Sequence, residues 1–160
     1  MACSPIFDRK EKTMADMPEI KIGGRTIPLF YSTYEMIAIQ RDIGCTAFQM
    51  KDEVFGLRQK DEDDPDSMVL DVVTDGEKQE KLGKLIRIMG NAGLEEAGQE
   101  PDLTDKWILR HIKPAMILIY SIAVLAVINE GNKMEAPAQE DNGPVDVNVE
   151  ERNAKKQQGN

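Results

Sequence analysis

The stretch KPAMILIYSIAVLAVINEG, residues 113 to 131, decides how the whole chain is read, because it is the most apolar run in the molecule. A helix needs about 20 predominantly apolar residues to cross a bilayer core. Only 15 residues lie between Lys113 and Asn129, and one of them is Pro114. Extending the run backward brings in Arg110, His111 and Lys113, each costly at depth in lipid. The segment therefore reads as a helix that is apolar all round because polypeptide covers it. Membrane insertion is not expected, and MACSPIFDRKEK at the start has no apolar run suited to a secretory signal.

Composition narrows the classes further. The chain has 160 residues, one domain's worth, and is long enough to bury a core without staples. Its 29 acidic and 20 basic residues give a net charge of −9, which repels phosphate backbones and disfavours nucleic acid as a partner. Cys3 and Cys45 have neither metal-ligand spacing nor a disulfide framework and fit a reducing cytosol.

Outward from the apolar run, order is expected to begin at EIKIGGRTIPLF, residues 19–30. Two alternating segments flank Gly23-Gly24, a pair that accepts the positive φ of a two-residue hairpin turn. That register sets Ile20 opposite Ile27 and Ile22 opposite Arg25, and gives one apolar face of Ile20, Ile22, Ile27 and Leu29. Pro28 marks an edge strand. Ser32 and Glu35 then form a capping box, Met36, Ile39 and Ile43 recur at helical spacing, and Gly44 is placed to end that helix. Thr46 is expected to cap a second helix with Ala47, Met50, Val54 and Leu57 on one stripe and Phe48 and Phe55 beside it, stopping near Leu57 or Arg58.

KDEDDPD, residues 60–66, is an acidic loop. Counted from Asp61, the positions that a calcium loop fills with glycine and glutamate hold Asp66 and Val72, so the calcium pattern fails. MVLDVV, residues 68–73, reads as a short strand. From Asp75 onward Leu82, Leu85, Ile86 and Met89 define an amphipathic helix, supported by the Glu77–Lys81 and Glu80–Lys84 pairs. GNAG, residues 90–93, is expected to loosen it, and LEEAGQEPDLTDKW to form a loop. Thr104 or Asp102 can cap a helix carrying Trp107, Ile108 and Ile112, and Pro114 either kinks that helix or opens the next.

The expected fold class is mainly α: a small domain of four to six helices with an N-terminal β-hairpin and one further short strand. Its expected limits are a flexible leader at 1–17, a single domain at 18–131 and a disordered acidic tail at 132–160, which has no aromatic residue to offset the entropy of ordering.

No set of catalytic groups stands out. The single histidine, His111, has Trp107 and Ala115 as its neighbours at helical spacing, neither of which is a carboxylate or nucleophile. IGGR and GNAGLEEAG lack the Lys-Ser/Thr or G-x-G-x-x-G order of a phosphate-cradling loop. Neither catalysis, a cofactor nor a metal is expected.

The hairpin EIKIGGRTIPLFYSTYE, followed by short helices, KLGKLIRIMGNAGLEEAG and DLTDKWILRHIKPAMILIYSIAVLAVINEG, resembles the tail assembly chaperones of long-tailed bacteriophages over about residues 17–131. The resemblance rests on helix order, chain size and the apolar last helix. It implies a small helical protein of the host cytoplasm that coats the tape-measure protein, holds that long helix soluble until tail tube subunits polymerise around it, and is not retained in the mature virion. It also implies self-association, no enzymatic activity and, in many relatives, a longer form made by ribosomal frameshifting. For such a shift Lys155-Lys156 is a candidate site. The client anchors expected on the apolar helix and its neighbour are Trp107, Ile117, Tyr120 and Val124, with completion of the monomer's own core as their alternative role. The competing function is a structural tail completion or connector protein.

Overall fold

The computed structural model describes residues 17–133. The leader and acidic-tail expectations, and Lys155-Lys156 with them, lie outside the described residues, apart from the boundary positions. Met17, assigned to the leader, is buried. The last helix runs one residue past the expected domain limit, to Asn132.

Alternation and the Gly-Gly turn produce the hairpin. Strand β1 (Glu19–Ile22) pairs antiparallel with β2 (Arg25–Pro28), with Ile20 opposite Ile27 and Ile22 opposite Arg25. Gly23 and Gly24 have φ of 58° and 76°, the left-handed pair that such a two-residue turn requires. Ile20, Ile22, Ile27 and Leu29 all face the core, as alternation demands.

Helix α1 (Thr33–Ile43) starts at the Ser32–Glu35 capping box and ends at Gly44. The expected second helix forms in a shorter, wider shape, with the Met50 amide donating to the Thr46 carbonyl and the Glu53 amide to the Gln49 carbonyl. Residues 51–55 make a single π-helical turn, closed by Gly56 short of the expected end near Leu57. Met50, Val54 and Phe55 are all buried in the core. Lys78 Nζ donates to the carbonyls of Asp52 and Glu53, which a regular helix would leave to its own amides. Leu57 leaves the helical path to begin β3 (Leu57–Gln59), paired antiparallel with β4 (Met68–Leu70). The short strand expected at 68–73 thus covers 68–70, and Asp71–Val73 form a 3-10 turn.

Asp75 caps the central helix α2 (Gly76–Glu96) by accepting from the amides of Glu77 and Lys78. GNAG does not loosen this helix, which continues unbroken to Glu96. Its glycines admit the hairpin: a Cβ on Gly93 would lie 2.0 Å from the Pro28 carbonyl oxygen, and one on Gly90 would lie 2.7 Å from Leu103 Cδ1. The Phe30 amide donates to the Met89 carbonyl at 3.0 Å, so the chain leaving β2 lies directly on the backbone of α2.

Thr104, not Asp102, caps helix α3 (Asp105–His111). Asn91 of α2 anchors the approach to it, accepting from the Leu103 amide at 2.9 Å and donating to the Leu103 carbonyl at 3.2 Å. Pro114 opens the next element: a 3-10 turn at Pro114–Met116 runs straight into α4 (Ile117–Asn132). The outcome is a mainly α domain with an N-terminal hairpin, as expected, and a second small sheet where one further short strand was expected. Its core lies where α2 meets the hairpin, the π-turn and the inner side of α4.

Candidate partner-binding face

Helix α4 has no polar side to turn to water between Pro114 and Ile128 except Tyr120 and Ser121, and the structure buries both. Its inner stripe is Ile117, Tyr120, Ser121, Val124 and Ile128. The hydroxyls are not stranded there. Tyr120 donates to the Lys21 carbonyl at 2.5 Å and Ser121 to the Ile117 carbonyl at 2.7 Å.

Subtracting two from the inner positions from Tyr120 onward gives Leu118, Ile119, Ile122 and Ala126, all of them exposed. A two-residue shift is about 200° around an α-helix, so this second stripe with the same spacing lies on the opposite face. Leu118, Ile119 and Ile122 are 45%, 55% and 55% exposed. Single exposed apolar residues are ordinary, but three large ones in one stripe on one helix define a face.

One flank of that face is a groove of about 580 Å³ between α4 and the segment after β2. Leu29, Phe30 and Tyr31 form one wall, and Ala123, Ala126 and Val127 the other. Burial pushes the Tyr31 phenol above its ordinary pKa, against the opposing effect of its hydrogen bond with Asn132. On the other flank stands Phe48, 95% exposed, beside Leu125 and Asn129. Phe48 was expected to accompany a helix stripe. The turn that begins at Thr46 points it outward instead.

The expected anchors fall elsewhere. Ile117, Tyr120 and Val124 are all buried and take their alternative role as core. Trp107 is half-buried. His111 stacks on it with ring centroids 4.5 Å apart, and the Arg25 guanidinium lies 5.9 Å from its ring centroid. Arg25 in turn holds Asp102 at 2.7 Å, and this bond keeps the Asp102 carboxyl below its ordinary pKa. His111 is exposed at the end of α3, with Nδ1 2.7 Å from the Trp107 carbonyl oxygen. The cluster braces the hairpin against α3.

Leu118, Ile119 and Ile122 are the exposed residues of this candidate face that the sequence reading did not single out. A helix apolar all round has no preferred face, so periodicity could not choose between two stripes of equal spacing. The signal that separates them is the pair of hydroxyls. Tyr120 and Ser121 go inward, toward a hairpin carbonyl and the helix's own turn.

The continuous helical segment Pro114–Asn132 has 19 residues, a mean hydropathy of 1.7 and 28% of its apolar window buried. By length and composition it is able to cross a bilayer. It exceeds the 15 residues counted from sequence because Asn129, Glu130, Gly131 and Asn132 continue the helix. Among the described residues no three His, Cys, Asp or Glu side chains gather as a metal site. Cys45 is buried, and desolvation pushes its thiol pKa up.

No family model, curated protein or solved structure matches the chain.

Proposed function

We propose that the protein is a phage tail assembly chaperone whose outer α4 face, continued by the groove at Leu29, Tyr31 and Val127, holds the apolar side of the tape-measure helix. The observation that carries this reading is the uncovered stripe of Leu118, Ile119 and Ile122 beside a formed groove. A helix laid along such a face is bound through anchors spaced three and four residues apart. The net charge of −9 supports the role by keeping a loaded complex dispersed. In this account the protein works in the host cytoplasm, releases the client to the tail tube subunits and is absent from finished particles.

A second reading, in which α4 lies in lipid, is favoured by the length and hydropathy of Pro114–Asn132. The inner stripe weighs against it. Tyr120 is bonded to a hairpin carbonyl and Val124 is fully buried, so insertion would strip α4 from the domain it completes.

Co-expression with the product of a neighbouring long, coiled-coil-like reading frame tests the proposal. The expected result is that the client stays soluble and co-purifies with the wild-type chain, and is lost with Ile119→Glu/Ile122→Glu. A client equally soluble without the chain contradicts the chaperone role, and retention of the chain in purified particles favours the structural tail component.

A further inference from the structure

Arg110 is the exception among the arginines. Of the five among the described residues, Arg25 holds Asp102, Arg41 and Arg87 hold Asp42, Arg87 also holds Asp105, and Arg58 holds Asp71. Arg110 has no carboxylate partner among the described residues and stands exposed near the end of α3. Lys106 lies one turn before it on the same face, a like-charged i,i+4 pair that weakens a helix rather than supporting it. Lys113, also exposed, stands at the joint between α3 and α4. Acidic residues outnumber basic ones 29 to 20 in the chain, yet none occurs from Lys106 to Asn129. Three cations without an ion-pair partner among the described residues are thus gathered at one end of an apolar surface.

That surface continues directly from them. Leu109 is 39% exposed and, with Pro114, rims a small apolar cleft of about 120 Å³ that Leu82 and Ile117 also line. Leu118 follows Pro114 by one turn and Ile122 follows Leu118, so the cleft leads into the outer stripe of α4. The far end of the stripe differs, because Glu130 there is closed on Lys133 at 2.6 Å. The charge of the face is therefore one-ended.

We infer that the segment α4 takes from its client is a helix whose apolar stripe carries carboxylates at one end, and that these carboxylates sit on Arg110 and Lys113. The inference deepens the client-binding reading of the same face and rests on it. A guanidinium offers a fork that a carboxylate meets with two hydrogen bonds, whereas an ammonium acts as a point charge. Arg110 accordingly fixes where the acidic end lies, and Lys113 adds attraction. Charge at one end sets a register along a stripe on which apolar contact alone would let a helix slide. A second copy offers these cations no carboxylate of that kind, since its own outer face ends in the closed Glu130–Lys133 pair. A bilayer surface would lie along the whole of α4, and helices that rest there carry Lys or Arg along their flanks. Between Lys113 and Lys133 α4 has none.

Binding of fluorescein-labelled helical peptides to the full purified chain tests the inference. Three peptides share one apolar stripe at i, i+3, i+4 and i+7 spacing and differ in one terminal turn, which carries two glutamates, two glutamines or two lysines. At low salt the glutamate peptide is expected to bind about 5–30-fold more tightly than the lysine peptide, with the glutamine peptide between them and the spread shrinking as salt is added. Arg110→Glu/Lys113→Glu is expected to reverse the order with an unchanged far-ultraviolet helix signal, because both side chains are exposed. Ile119→Glu/Ile122→Glu is expected to abolish binding of all three. Equal affinities, no binding, or an order that Arg110→Glu/Lys113→Glu leaves in place overturns the inference. So does capture of the chain by vesicles of anionic lipid that the same two substitutions remove. The co-expression experiment decides the chaperone reading separately: a client held soluble equally by the wild type and by Arg110→Glu/Lys113→Glu keeps that reading and overturns this one.

Discussion

Tyr120 of α4 donates its phenolic hydrogen to the carbonyl of Lys21 in β1 at 2.5 Å, joining the ends of the described fold across 99 positions of sequence. That bond helps fix which side of an all-apolar helix faces inward, and so which side is left exposed. Tyr120→Phe keeps the ring and removes the donor, leaving a carbonyl without this partner. The expected cost is about 1–3 kcal/mol, read as a shift in the urea midpoint with an unchanged slope. An unaltered midpoint would show that the bond contributes nothing to seating α4.

Gly93 and Gly76 lie on the same helix in opposite circumstances. A Cβ at Gly93 meets the Pro28 carbonyl, whereas nothing lies within 4 Å of one at Gly76. Gly93→Ala is expected to destabilise by roughly 1–3 kcal/mol or more, as overpacking against backbone does. Gly76→Ala is expected to be neutral or to stabilise by up to about 1 kcal/mol, from helix propensity. Thermal unfolding of the two variants checks the contrast. Equal effects would mean that the hairpin does not sit on α2 at Gly93.

Arg87 ties three helices together. From α2 it holds Asp105 of α3 at 2.6 Å and Asp42 of α1 at 3.5 Å. Hydrogen bonding from Arg41, with smaller contributions from Arg87, keeps the Asp42 carboxyl below its ordinary pKa. A carboxylate with a lowered folded pKa adds stability above its unfolded pKa, near 4, and that stability is lost as pH falls through the folded value. Unfolding midpoints measured from pH 6 down to pH 2 should therefore fall less steeply for Asp42→Asn than for the wild type. Parallel profiles would remove the carboxylate from the acid response.

The parts of the fold that were legible in the sequence are those with one solution. Alternation around Gly23-Gly24 allowed a single register, and the Ser32–Glu35 box a single helix start. Residues 46–59 were half legible: a helical turn forms there, but Lys78 takes the carbonyls of Asp52 and Glu53, and Leu57 leaves for a strand that pairs with residues distant in sequence. At 90–93 the glycines signalled a break when their use was close approach of the hairpin, which only the folded contact reveals. The candidate site was half legible. The sequence singled out α4 but not its exposed stripe, because each stripe is equally apolar and only the structure shows that the one carrying the hydroxyls is buried.

The central claim is that polypeptide, not lipid or bulk water, meets the outer side of α4. A photoactivatable benzoyl-phenylalanine placed at Ile119 in the full chain and irradiated in cells tests it most directly. The expected products are protein adducts, formed with a second copy of the chain or with a long helical client. Adducts with lipid, or recovery of the chain without any adduct, would contradict the claim.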